Sequence, residues 1–120
     1  NLTQPNNYRA IRFADVLLMA AEALNRGNIN DVLALDYVNQ VRSRAGLPDI
    51  NVSGSQLTDE IYRQRRLELV GEGHRFFDLV RTGRAAQQIE GFTAGKNEVF
   101  PIPLEEIQFS QGNWEQNPNY

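Results

Sequence analysis

The sequence predicts an all-α fold: a tetratricopeptide-like helical hairpin, two further helices, and an extended, irregular C-terminal strap. Three observations predict it. Apolar residues from Tyr8 to about Asn25, and again from about Asp31 to Ala45, recur every three or four positions, the period of a helix. Gly27, Gly46 and Pro48 fall between and after those runs rather than inside them. From Val99 onward, VFPIP carries two prolines and cannot be a helix interior.

A chain of 120 residues is enough for one domain with a modest core. Residues 1–7, polar with Pro5 and three asparagines, read as a lead-in. Residues 8–45 form the hairpin. In its first helix two apolar rows run through Ile11, Ala14, Leu18, Ala21 and through Phe13, Leu17, Ala20, Leu24. The polar residues Arg12, Asp15, Glu22 and Arg26 share one narrow stripe with Met19, and their spacing is that of surface pairs, Arg12 with Asp15 and Glu22 with Arg26. Gly27 is expected to end the helix in a left-handed conformation. Asn30 or Asp31 caps the second helix, whose apolar residues are Leu33, Ala34, Tyr37, Val38 and Val41. The short link makes the two helices antiparallel neighbours. Together they span roughly the 34 residues of a tetratricopeptide unit, although the tryptophan and glycine signatures of that repeat are missing and an ordinary αα-hairpin fits the spacing as well.

Residues 46–56 read as a loop, and residues 57–83 as the third and fourth helices. Thr58 is the expected N-cap, with Asp59 and Glu60 in the first turn, and the helix runs to about Glu72. Ile61, Tyr62 and Leu69 define its apolar face; Arg65 and Glu72 fall on that face and Glu68 borders it. Gly73 breaks the register, and a short helix carries His74 to Thr82. There Arg75, Asp78 and Arg81 are three apart, which places one carboxylate between two guanidiniums. Residues 84–120 are a loop and a strap, with a helical turn allowed after Pro103 and with Val99, Phe100, Ile102, Ile107 and Phe109 in need of cover.

The totals exclude several functions. Net charge is −3, which argues against a general nucleic-acid binder. Without cysteine there is no disulfide, no thiolate metal site and no cysteine nucleophile. No apolar run approaches the ~20 residues of a membrane span, and no signal peptide is visible. The abrupt start, NLTQPNNYRAIRF leading straight into an apolar helix, predicts a fragment of something longer.

The segment Arg65–Gly83 looks most like chemistry, because it combines the only histidine with closely spaced acids and arginines. His74, Asp78 and Glu72 have the types of metal ligands or of an oriented general base, but one histidine without cysteine makes a poor metal set. Glu68 and Glu72 have the types of a glycosidase carboxylate pair. Two acids one turn apart amid arginines are more often salt-bridged, because an unpaired buried charge is too costly. Eleven of the twelve basic residues are arginine, the side chain best suited to bidentate carboxylate pairing. The prediction is therefore a structural ion-pair network of Arg65, Glu68, Glu72, Arg75, Asp78 and Arg81 tying the third and fourth helices to the hairpin, with no catalytic, metal or cofactor site. Asn1-Leu2-Thr3 and Asn51-Val52-Ser53 match the glycosylation sequon, a short pattern. Trp114, Tyr120 and Tyr8 are candidates for stacking on a sugar ring, although aromatics this thinly scattered more often plug a core edge.

Five ordered segments carry a resemblance: RFADVLLMAAEALNR at 12–26, ALDYVNQVRSRAGLP at 34–48, ELVGEGHRFFDLVRTG at 68–83, VFPIPLEEI at 99–107 and QNPNY at 116–120. In this order the chain resembles the C-terminal part of the SusD/RagB family. There are two departures. Gln64-Arg65 stands where the family commonly has Glu-Arg, and Asn119 stands where its ending usually has glycine, a position asparagine tolerates in a left-handed turn. The resemblance implies a non-catalytic glycan- or nutrient-binding subunit on the surface of the Bacteroidetes outer membrane. It implies a SusC-like TonB-dependent transporter as partner, and membrane attachment only through an N-terminal lipid anchor outside this chain. It transfers no ligand residue to any position here. A free-standing tetratricopeptide-like interaction module and a small glycosidase using Glu68 and Glu72 are the competing expectations.

Overall fold

The computed structural model describes residues 10–120. The lead-in, Tyr8 and the sequon at Asn1 lie outside the described residues. The described residues are helical, with no strand among them. They form two compact units, one ending at Glu72 and the other running from Gly73 to Tyr120.

The first unit holds α1 (Phe13–Arg26), α2 (Asp31–Arg44) and α3 (Gly54–Glu68). Its core is Ala14, Leu18 and Ala21 from α1, Ala34, Val38 and Val41 from α2, and Leu57 and Ile61 from α3. The small alanines let the helices approach closely, so Leu18, Val38, Leu57 and Ile61 are completely enclosed.

α1 begins later than the apolar period predicts: Arg12 is extended and precedes the first helical residue. The direction in which α1 faces is also different. Its buried residues are Ala14, Asp15, Leu18, Ala21, Glu22 and Asn25, so the polar stripe lies inside, while Phe13, Val16 and Met19 are exposed. Of the two expected surface pairs, Glu22–Arg26 forms at 3.2 Å, but Arg12 and Asp15 each bind a residue of the 65–72 region instead. Gly27 stays right-handed, at φ −75°, and Asn28 takes the left-handed turn at φ 52°. Glycine is needed at 27 for another reason: a Cβ there would sit 2.8 Å from the Ala23 carbonyl oxygen. Asn30 caps α2, accepting from the Leu33 amide at 3.0 Å.

α3 starts one turn before the predicted cap. Gly54, at φ 57°, donates its amide to Asp31 Oδ2 at 2.6 Å, so a carboxylate from α2 supplies the helix start. Thr58 instead donates its hydroxyl to Asn25 Oδ1 at 2.5 Å. Asn25 in turn donates to Asp31 Oδ1 at 2.7 Å and to the Gly54 carbonyl at 3.1 Å. This one buried asparagine therefore joins the end of α1 to the starts of α2 and α3. The intervening loop is fixed by Asn39, which accepts from and donates to Ile50, and by Arg42, which donates to the Pro48 carbonyl. α3 ends at Glu68 rather than near Glu72, because the chain turns through Gly71 and Gly73, both left-handed.

The Gly54 amide, followed by the Asn25 amide, holds the Asp31 carboxyl below the usual carboxylate range. A carboxylate whose pKa is depressed by folding adds stability above its unfolded pKa and loses it as pH falls through the folded value. The protein is therefore expected to lose part of its stability on acidification through this range. Asp31→Asn should flatten that acid slope, melting below wild type near neutrality and converging on it as the pH falls. Thermal melts from pH 7 downward check it, and parallel slopes in the two proteins would contradict it.

The second unit holds α4 (Arg75–Arg81), α5 (Ala85–Gln88) and α6 (Leu104–Phe109). Phe76 meets Phe77 edge-on at 5.7 Å and Phe92 at 6.4 Å. The C-terminal residues close this unit by bonding to main chain. Gln116 both donates to and accepts from Ile102 at 2.9 and 2.8 Å. Asn117 donates to the Phe100 carbonyl at 2.6 Å, Asn119 to that of Gly95 at 2.8 Å, and Tyr120 to that of Val99 at 3.0 Å. Asn119 takes the expected left-handed conformation, φ 66°, and its side chain adds a bond that glycine lacks. Ile102 and Ile107 are half-buried, but Phe100 and Phe109 remain 82% and 84% exposed, against the expectation that all the strap's apolar residues are covered.

Candidate functional site

In the first unit, Arg65, Glu68 and Glu72 bind partners on α1, on α2 and at Arg12, just before α1. Arg65 meets Asp15 at 2.7 Å with both side chains buried. Glu68, also nearly buried, accepts from Arg12 at 2.8 Å and from Arg44 at 2.5 Å. Arg12 donates further to the Glu68 carbonyl at 2.9 Å and, from Nε and Nη2, to the Glu72 carboxylate at 2.7–3.1 Å. The Glu72 and Glu68 side chains thus share one guanidinium, and their hydrogen bonds hold its pKa well above the ordinary arginine range. A carboxylate pair bridged in this way is already occupied as an acceptor. A second cluster forms around Glu60, which accepts from Arg42, Arg63 and Gln64 at 3.1, 3.0 and 2.6 Å.

In the second unit, Arg81 grips Asp78 Oδ1 through Nε and Nη2 at 2.9 and 2.7 Å, and Arg75 donates to Gln88. His74 is half-buried at the start of α4, where its carbonyl accepts from the Asp78 amide. Among the described residues no group of three or more histidines, cysteines or acids has the arrangement of a metal site. Among the described residues no buried side-chain nitrogen or oxygen lacks a hydrogen-bond partner.

The sequence reading missed Arg12, Asp15, Arg44 and Asn25 as members of these clusters. One signal was available for Arg12. A guanidinium beside a helix N-terminus opposes the helix dipole, so it calls for an acid from elsewhere. For Asp15 there was none, since its partner lies fifty positions later.

Of the aromatic candidates, Tyr8 lies outside the described residues, and Tyr120 is used by the tail, with Lys96 Nζ 4.8 Å from its ring centre. Trp114 is 54% exposed and lines an open cleft of about 350 Å³ with Glu106, Phe109, Gln111 and Asn113.

The sequence model of the SusD family matches residues 1–120. SusD-like protein P2 of Formosa agariphila is 33% identical over 95% of this chain, and the chain spans 26% of that relative's length. The crystal structure of a SusD homolog from Bacteroides thetaiotaomicron superposes with a TM-score of 0.81 at 35% identity, over 91% of this chain and 25% of that one. Surface glycan-binding protein A from Bacteroides uniformis superposes with a TM-score of 0.75 at 34% identity, over 93% of this chain and 28% of that one. The tetratricopeptide-like hairpin and the all-α class agree with these likenesses.

Proposed function

The chain belongs to the SusD family, and from that membership we propose that it is the C-terminal helical part of a non-catalytic subunit that captures glycans or other nutrients. The observation that carries the reading is the likeness of nearly the whole chain to a surface glycan-binding protein. In the longer protein this chain acts mainly as scaffold. The pairing of the buried charges supports that role, because among the described residues it leaves no buried carboxylate or guanidinium without a partner. Phe13, Val32 and Val70, which are 74%, 80% and 78% exposed, are the kind of surface that further helices of the same protein would cover. The proposed partner is a SusC-like TonB-dependent transporter, and the proposed location is the outer surface of the outer membrane. Attachment there runs through a lipid anchor outside this chain. No described helix is long and apolar enough to cross a membrane.

A panel of oligosaccharides and oligopeptides titrated into the full-length protein tests the reading. We expect binding of at least one glycan without turnover. Cleavage of a bound glycan would overturn the non-catalytic assignment. Binding of peptides alone would favour a tetratricopeptide-like interaction module.

A further inference from the structure

We propose that the cleft beside α6 is a sugar-binding subsite, with Trp114 as its stacking platform; this deepens the glycan-binding reading and rests on it. The turn after α6 is braced to present these side chains. Ser110 Oγ accepts from the Trp114 amide at 3.0 Å and donates to the Ile107 carbonyl at 2.7 Å, while Asn113 donates to the Ser110 carbonyl at 2.8 Å. Gln111 and Gly112 are both left-handed, at φ 53° and 87°. A non-glycine residue in that conformation is strained, and the three local bonds hold it there.

The result is an exposed indole and an exposed Phe109 ring bordering a cleft of about 350 Å³, a volume within the range of small-ligand sites. Two polar groups line it without prior commitment. Neither the Glu106 carboxylate nor the Gln111 amide makes a side-chain hydrogen bond or ion pair among the described residues. A pyranose needs this combination: an aromatic face for its apolar C–H face, and planar acceptors and donors for its hydroxyls. An apolar peptide side chain would use the rings but leave the carboxylate and amide unsatisfied.

The test uses the full-length protein and a glycan found to bind wild type in the panel above. Calorimetric titration is run on Trp114→Ala, Trp114→Phe and Gln111→Ala, each with a melting curve. Trp114→Ala should weaken binding about tenfold with an unchanged melting temperature. Trp114→Phe should restore most of the affinity, and Gln111→Ala should weaken binding about threefold. Unchanged affinity in Trp114→Ala would overturn the subsite while leaving the glycan-binding reading intact. A joint fall of melting temperature and affinity in Trp114→Ala, with Gln111→Ala silent, would mark Trp114 as a packing residue and also overturn it. A wild type that binds no glycan would overturn the reading beneath both.

Discussion

Replacing Arg65 with methionine is expected to destabilise the first unit by about 3–5 kcal/mol, because it leaves a buried carboxylate without its counter-charge. Arg65 and Asp15 have side chains only 5% and 7% exposed, and they meet at 2.7 Å across α3 and α1. Solvent cannot replace the lost guanidinium at that depth. Hydrogen exchange of the amides of α1–α3 in the full-length protein measures the opening of this unit directly. Asp15→Leu combined with Arg65→Met should recover most of the loss, since an apolar pair of similar size often replaces a buried ion pair at little cost. If the double variant is as unstable as the single one, the two residues do not act as a pair.

The second large effect is expected from Leu57→Ala. Leu57 is fully enclosed between α1 and α2 partners in the core. Removing its isopropyl end deletes buried area and leaves a cavity that three packed helices can only partly close, at a cost of about 2–5 kcal/mol. The same exchange measurement reads it. Gln56→Ala is the control: exposed on the same helix and without a side-chain hydrogen bond among the described residues, it should change stability by less than about 0.5 kcal/mol. A Leu57→Ala variant no worse than the control would mean that the core is misassigned.

Leu57 also shows where the sequence was legible and where it was not. The period of three or four gave both hairpin helices and their Asn30 and Gly46 boundaries, because those signals are local. The start of α3 was misplaced because its cap is not local. Asp31 reaches Gly54 from α2, which frees Thr58, a residue of cap type, to bind Asn25. With the cap expected at Thr58, Leu57 stood at the very start of the predicted helix and was left off its apolar face. α1 was legible as a helix but not in orientation. Its alanines sit on several sides, so an apolar count cannot tell which face is interior, and the buried polar stripe is explained only by Arg65, Thr58 and Gly54 far along the chain. From sequence, the charges placed on the apolar face of the third helix are expected to pair because burial demands it. Which hairpin residues they choose is a property of the packed helices.

The central claim is that these charges hold the scaffold together and do not bind or transform a ligand. It is tested most directly on full-length Arg65→Met, by measuring glycan affinity and turnover below its melting transition together with the transition itself. The account predicts a lowered melting temperature, a glycan dissociation constant within about twofold of wild type, and no turnover in either protein. A melting temperature equal to wild type, with glycan binding or turnover lost, would contradict it.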